Sequence, residues 1–339
     1  MLVIDIFGDF TPRNHPYLPV LRAMDRDPRI QINIMGPVHP SINHIQNRKY
    51  IESDLALGIG LPREFSGMHQ GSYKLKMGIT AWETNKVPYG PYYGYKKILE
   101  DLDLLLLPSE WQQRLFEHVN TKSELVPWPI DNWIQFQKEA CNRKIFTILC
   151  EGKLTHKSNV GYVLAAFLEL SKGLEDRLFL ILKTESGTLG HLNLPYANVK
   201  IIDQVYTSSQ YKKLLESCDA FIYPTMADEP PINLLSALGT GLMCAIPNHS
   251  GYKEIYPDIR MSLISEKMIP ATRYSRKLGV VGDWHDISYT EIAHVMKNMW
   301  ELHDMWPEFN KKVSSEIISK HNPKAIVNDI IKVIGKYNG

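Results

Sequence analysis

The 339-residue chain has no long apolar run, no excess of one charge sign and very little cysteine. Its longest apolar candidate, Leu102 to Leu107, is strand length and falls far short of the ~18 residues of a membrane span. The opening MLVIDIFGDF lacks a basic leader and carries Asp5 inside its apolar residues, so it reads as a first buried strand and not as a signal peptide. Basic and acidic residues number 38 and 37. They are also even along the chain, 17 and 16 in residues 1–150 and 21 and 21 thereafter. That excludes a basic domain of the kind non-specific nucleic-acid binding needs. A local basic groove drawing on Lys74, Lys76, Lys96 and Lys97 stays open. The cysteines, Cys141, Cys150, Cys218 and Cys244, form no C-x-x-C pair. They read as buried reduced thiols and point to a cytoplasmic protein. His39, His69, His156 and His249 share no metal-ligand spacing. There is no internal repeat and no low-complexity segment.

What is present is ordinary for a soluble globular chain of about two domains, with 44% hydrophobic and 22% charged residues. Short apolar runs alternate with helical patterns. In the first half the strands are Leu2–Phe7, Ile30–Met35, Met77–Trp82, Leu102–Leu107 and Leu125–Trp128. A helix is expected around Pro16–Met24, and another opens at Ser109, where Ser109 and Gln112 have the spacing of a capping box. Residues 36–78 give no clear pattern. In the second half Ile145–Cys150, Leu178–Leu182, Val199–Ile202, Asp219–Tyr223 and Leu242–Ile246 are continuous apolar runs, as a parallel sheet covered on both faces requires. Val160, Val163, Leu164, Phe167 and Leu168 make one buried helical stripe. Ser209–Ser217 and Pro231–Leu238 read as further helices. Asp131–Lys144 is polar and aperiodic, a linker between two α/β domains. The helix at Lys324–Lys336 falls too late to belong obviously to the second sheet.

In doubly wound sheets ligands bind beyond the carboxyl ends of the strands, so the residues just after each strand are the informative ones. After Cys150 come Glu151, Gly152, Lys153, Thr155, His156, Lys157, Ser158 and Asn159. Gly152 allows a tight exit, and two lysines flank a helix start capped by Ser158 or Asn159. Ammonium groups beside helix N-terminal amides suit a diphosphate. The G-x-x-x-x-G-K-S/T spacing of a P-loop is absent, and two solvated lysines are the plainer alternative. After Tyr223 come Asp228, Glu229 and then Pro231, which suits a first helical turn, with the amides of Ile232, Asn233 and Leu234 behind it. An acid there can hold a sugar hydroxyl while the amides hold phosphate; a simple helix cap at Asp228 is the alternative. Asp101-x-Asp103 has the spacing of a metal-binding D-x-D, but it precedes its strand and reads as a helix-to-strand turn. No metal site is expected.

The stretch from Ala227-Asp228-Glu229-Pro230-Pro231-Ile232 to Leu235-Ser236-Ala237-Leu238-Gly239-Thr240-Gly241 resembles the signature of retaining glycosyltransferases of the GT-B fold, family four. Asp228 falls on the family's first acid, and Ser236 stands where its second glutamate, in L-E-A-x-x-x-G, grips the ribose. Six further segments agree in order. Trp82-Glu83-Thr84-Asn85-Lys86-Val87-Pro88 resembles W-E-T-x-x-x-P. Asp103 to Ser109 resembles D-x-L-x-L-P-S, and Val126 to Asp131 resembles the linker strand, with Pro129 in place of a common glycine. Gly152-Lys153 with Lys157 resembles the diphosphate-binding element, and Ser250-Gly251 with Glu254 resembles G-x-x-E. Gly282-Asp283-Trp284 resembles a late G-x-W turn. The likeness spans roughly residues 80 to 320; Gly8-Asp9-Phe10 lacks the paired glycines many members carry after strand one.

The resemblance implies two Rossmann-like domains with a cleft between them. Residues 1–140 would be the acceptor side, 141–320 the nucleotide-sugar-binding domain, and 321–339 a helix crossing back toward the first. It implies metal-independent transfer of a sugar from a nucleotide-sugar to an acceptor hydroxyl, with retention and no cofactor. Lys153 and Lys157 would stabilise the leaving diphosphate and Asp228 would orient the donor sugar. Gly152, Val205, Glu229, Pro231, Ile232, Asn233, Leu234 and Ser236 would complete the donor site. His69, Glu83, Gly8 and Asp9 are candidates for the acceptor or the donor sugar. The acceptor would be a saccharide, a lipid-linked glycan or a small molecule. Two alternatives remain: a phage-type transferase acting on hydroxylated bases in DNA, and a non-catalytic binding protein, for which Ser236 is the hint.

Overall fold

Apolar runs become the strands of two parallel sheets. The computed structural model describes residues 1–11, 15–88, 95–119, 121–136, 144–153, 155–184, 194–227, 229, 231–255, 261–271 and 281–337. The chain divides into one unit of Met1–Asn132, Lys277–Val281 and Ser319–Gly339, and a second of Trp133–Arg276 and Gly282–Ile318.

In the first unit the strands are β1 (Leu2–Phe7), β2 (Ile30–Ile34), β3 (Leu55–Ile59), β4 (Leu75–Ile79), β5 (Leu104–Leu107) and β6 (Lys122–Leu125). The helices among them are α1 (Leu18–Asp25), α2 (Asn43–Gln46), α3 (Tyr95–Glu100) and α4 (Glu110–Phe116). The sheet order is β2-β1-β3-β4-β5-β6, with parallel pairings. The chain therefore winds one way from β1 to β2 and the other way from β3 onward, so the order reverses between β1 and β3. Strand β3 falls inside the stretch 36–78 that the sequence left unassigned. Its five residues are all buried, which removes the alternation that would mark it.

Strand β6 lies earlier than the expected Leu125–Trp128. The Val126 amide still bonds to the Leu107 carbonyl at 2.9 Å, but Pro127 and Pro129 have no N–H to continue a ladder. The capping box at Ser109 is half present. Ser109 accepts the Gln112 amide at 3.2 Å, whereas the fully buried Gln112 side chain clamps the Trp82 backbone. Its Oε1 accepts the Trp82 amide at 3.1 Å and its Nε2 donates to the Trp82 carbonyl at 2.8 Å.

In the second unit the strands are β7 (Phe146–Glu151), β8 (Leu178–Thr184), β9 (Val199–Asp203), β10 (Ala220–Ile222), β11 (Met243–Pro247) and β12 (Ser262–Leu263). The helices are α5 (Val160–Leu170), α6 (Ser208–Ser217), α7 (Ile232–Thr240), α8 (Tyr252–Ile255) and α9 (Tyr289–Glu301). The order β12-β11-β10-β7-β8-β9 is again parallel. Here the winding reverses between β7 and β10. The core gathers Ile148, Leu180, Ile222 and Ala245 from the sheet with Val163 and Phe167 of α5, on the stripe read from the sequence. An antiparallel hairpin, β13 (Lys267–Pro270) and β14 (Asp283–Asp286), stands apart from the sheet.

Two helices end the chain, α10 (Pro307–His321) and α11 (Pro323–Tyr337). Helix α11 buries Ile326, Val327, Ile330, Val333 and Ile334, spaced as one helical face, and packs on α1. Its last turn reaches the edge of the first sheet, where Glu124 of β6 accepts from Lys336 and from the Tyr337 hydroxyl.

The first unit holds two covered imidazoles. Nδ1 of His321 lies 2.6 Å from the Trp128 carbonyl, and burial pushes its pKa down to about 4. His15 stands edge-on to Phe10, and burial also takes its pKa down to about 4. Unfolded, both protonate near pH 6.5. The folded values lie below the unfolded one, so the stability these residues contribute is complete above pH 6.5 and is lost as pH falls toward 4. Each adds a slope of about 1.4 kcal/mol per pH unit across that window. Urea unfolding at pH 7, 6 and 5 is expected to show this decline, and His321→Gln to flatten it by about half; a slope unchanged by His321→Gln would contradict the assignment.

Candidate functional site

The reversal between β7 and β10 is where an open parallel sheet presents its crevice, because the connections leave in opposite directions and the carboxyl ends are not covered. Two strand exits meet there. β7 ends at Glu151 and turns at Gly152, whose amide bonds to the Lys183 carbonyl at 3.1 Å. A Cβ on Gly152 would sit 3.1 Å from Ser158 Cβ and 3.3 Å from Val160 Cγ2. The turn is therefore closed down on the start of α5, which keeps the backbone beside Lys153 bare. The Ser158 hydroxyl folds back onto the Lys153 and Thr155 carbonyls.

Asn159 occupies the cap position of α5 without capping it. It adopts a left-handed conformation, φ 53° and ψ 18°, which asparagine tolerates better than most residues. Its side-chain amide instead donates 3.0 Å to the Pro224 carbonyl, on the exit of β10. The two exits are joined again by the Met226 amide on the Lys157 carbonyl at 2.8 Å. Lys153 is exposed and Lys157 half-buried. Both lysines are thus carried on a loop bonded to the segment that leads to the acidic pair.

That segment, Pro224–Ala227, is held from other sides too. The Thr225 hydroxyl donates to the Ala227 carbonyl at 3.1 Å, and the His285 amide of β14 donates to the Met226 carbonyl at 3.2 Å. Asp228, the expected catalytic acid, lies outside the described residues. Glu229 is half-buried. The cap position of α7 falls on Pro231, with φ −83° and ψ 52° and no side-chain cap bond. The first-turn amides of Ile232, Asn233 and Leu234 therefore receive no cap from Pro231, and the helix dipole favours negative charge at that end. Ser236 is 3% exposed, one turn further along α7. Val205 is exposed on the loop after β9.

A cluster that the sequence did not reveal lies at the same edge. Glu151 and Lys183 are register partners at the ends of β7 and β8. Lys183 Nζ lies 3.3 Å from Glu151 Oε1, and the two side chains are 1% and 9% exposed. The Tyr211 hydroxyl donates to Glu151 Oε2 at 2.7 Å, and the Tyr206 ring lies 5.4 Å from Lys183 Nζ. A buried pair of this kind costs desolvation and is retained only where its partners are fixed. Its signal was a lysine ending an apolar strand, which sequence pattern alone cannot distinguish from a solvated strand end.

In the first unit, Gly8 sits at the corresponding reversal between β1 and β3. A Cβ there would meet the Ile59 carbonyl at 2.6 Å. Asp9 follows, its carboxyl held below the usual range by bonds from the Thr11 hydroxyl and amide. Glu83 is half-buried in the segment after β4 that Gln112 clamps. His69 lies elsewhere, in the 3-10 helix Pro62–Gln70. It bonds to Asp101, which also accepts from Lys76 at 2.9 Å. Lys76 is near the start of β4 and Asp101 precedes β5, so His69 belongs to the amino end of this sheet. Of the lysines considered for a basic groove, Lys74 is paired with Asp54, Lys76 with Asp101 and Lys96 with Glu100. Among the described residues no group of three or more His, Cys, Asp or Glu side chains could hold a metal ion. No helix among them is long and apolar enough to cross a membrane.

No protein-family model matches the chain. No curated protein sequence matches it either. Solved structures do. Sucrose-phosphate synthase from Thermosynechococcus elongatus aligns with a TM-score of 0.71 at 10% identity, covering 99% of both chains. A UDP-forming trehalose-phosphate synthase from Burkholderia xenovorans gives 0.66 at 9% identity, covering 100% of both. The pneumococcal O-GlcNAc transferase GtfA, solved with UDP and GlcNAc, gives 0.55 at 13% identity, covering 83% of this chain and 57% of that one. With its two parallel six-stranded α/β sheets, the chain has the GT-B fold these glycosyltransferases share.

Proposed function

We propose that the protein is a metal-independent glycosyltransferase that moves a sugar from a nucleotide-diphosphate sugar to an acceptor hydroxyl, with retention. The observation that carries this reading is the switch point of the second sheet. There a lysine-bearing loop is bonded to the exit of β10, beside a helix start that its own cap residue leaves open. Cations and helix N-terminal amides at one sheet edge are chemistry for a diphosphate. The fold's neighbours support the choice of donor, since one is named as UDP-forming and another was solved with UDP and GlcNAc. Three buried free thiols among the described residues fit a reducing, cytoplasmic setting.

In this reading the bond between the donor's anomeric carbon and the diphosphate breaks with its electron pair going to phosphate. Lys153, Lys157 and the amides of Ile232, Asn233 and Leu234 stabilise that growing charge, a contribution that often dominates catalysis. Gly152 lets the phosphates approach. Asp228 orients the sugar, with Glu229 and Pro231 shaping the same turn. Ser236 and Val205 lie toward the nucleoside. The acceptor hydroxyl attacks on the face the diphosphate leaves, and its proton passes to the departing phosphate oxygen. Gly8, Asp9 and Glu83 serve the acceptor. His69, bonded to Asp101 at the other end of the first sheet, is given no part.

Three outcomes are expected. Lys153→Ala and Lys157→Ala each weaken nucleoside-diphosphate binding and slow turnover roughly ten- to hundredfold, since a charge-assisted bond is worth ~1.5–3 kcal/mol; titration calorimetry with UDP, GDP and ADP reads this, and unchanged affinity and rate in both variants would remove the role. Asp228→Asn keeps the size of the side chain but removes its charge. It lowers kcat more than nucleotide affinity, because the lost interaction is with the reacting sugar; a silent substitution would mean that Asp228 does not orient the donor. Donor turnover survives EDTA. Complete loss that manganese or magnesium restores would show that a metal, not the lysines, neutralises the diphosphate.

A further inference from the structure

A ladder of aromatic rings runs beside the strand exit that precedes Asp228. Phe221 on β10 and Tyr223 just beyond it stack at 6.0 Å, and Tyr223 meets Tyr252 edge-on at 6.0 Å. Tyr252 meets His249, after β11, edge-on at 5.2 Å. The ladder ends on His285 of β14, whose imidazole lies parallel to that of His249, 7° between planes and 4.1 Å between centroids. His285 is also the residue whose backbone amide holds the Met226 carbonyl. The residue whose ring stacks on His249 is therefore also the one through whose backbone β14 holds one side of the segment Pro224–Ala227.

We propose that His249 and His285 are positioning residues: their stack fixes β14 against the exit of β10 and so sets the placement of the segment Pro224–Ala227. The stack requires uncharged rings. Burial pushes His249 down to about 3, with His285 beside it as a smaller cause. His285 is half-buried and also lowered, first by burial, with Asp283 opposing and Lys253 reinforcing. Two neutral imidazoles pack face to face, whereas two cations at this distance repel. The functional half of the proposal rests on the glycosyltransferase reading; the structural half does not.

The test compares the wild type with His285→Ala and His285→Phe, the second keeping a flat ring. Hydrogen exchange is followed at the Met226 and His285 amides and at the Leu180 amide, which bonds to the Asn198 carbonyl in the sheet. Turnover is measured with a panel of UDP-, GDP- and ADP-sugars, and affinity with UDP, GDP and ADP. In His285→Ala, exchange at Met226 and His285 is expected to speed up by roughly tenfold or more while Leu180 stays protected. Its kcat should fall roughly ten- to hundredfold with nucleotide affinity held within about twofold, as misplacement by an ångström commonly does. His285→Phe should restore both. Equal loss of protection at Leu180, full protection in the alanine variant, or no restoration by phenylalanine would overturn the positioning role. If His285→Ala does not fold, His285→Phe still decides, because it must match the wild type in exchange and kcat. If the wild type binds no nucleotide and turns over no donor, the glycosyltransferase reading fails while the exchange measurements still judge the stack.

Discussion

The second unit's candidate site depends on one main-chain hydrogen bond, from the Met226 amide to the Lys157 carbonyl. Parallel strands leave their carboxyl ends unpaired, and the loops that continue them must find partners or stay mobile. Here the loop after β7 and the loop after β10 satisfy each other. Asn159, twisted into the left-handed region, adds a side-chain bond to Pro224 in the same direction. The cost is a conformation few residues accept and a helix start without its usual cap. The gain is that the lysine-bearing loop and the exit of β10 are tied to one another at one sheet edge.

A second consequence concerns charge. Glu151 and Lys183 neutralise each other just below Gly152, with Tyr211 and Tyr206 around them. A lone buried lysine there would lose its proton, and a lone buried glutamate would repel phosphate. Paired, they leave the loop above them to Lys153 and Lys157. The buried pair and the two loop lysines therefore do different things at one sheet edge, although all four residues look alike as charges in a sequence.

Much of this was legible in advance. The runs at Ile145–Cys150 and Leu178–Leu182 mark buried strands because parallel sheets covered on both faces give no alternation, and the structure places β7 and β8 on them. The stripe from Val160 marks α5 by its spacing alone. What stayed hidden had physical causes. Strand β3 is five buried residues among glycines and prolines, too short and too uniform to show a period. Strand β6 is polar because it is an edge, so the apolar run just beyond it drew the assignment. Gln112 had the spacing of a cap but a nearer use on Trp82, since a side-chain amide can bond a backbone donor and acceptor together. Asn159 was expected as a cap by composition, and only its left-handed backbone turns its side chain to Pro224. The Glu151–Lys183 pair and the His249–His285 stack join residues far apart in the chain, and no local pattern encodes such contacts.

The last helix has a bearing on how the chain comes to be folded. Helix α11 packs on α1, and Arg29 reaches Asn328 across 299 positions of sequence. During synthesis the first sheet emerges early, but the side of α1 that α11 covers stays bare until about 300 later residues have been made. Residues 133–276 and 282–318 meet no such wait, since the second unit is close to contiguous. Contacts of such high sequence separation are slow to form and leave sticky surface exposed in the meantime. Of the two units, the one translated earlier is therefore completed later, and the interval between those two events is when a growing chain of this kind most needs a chaperone's cover.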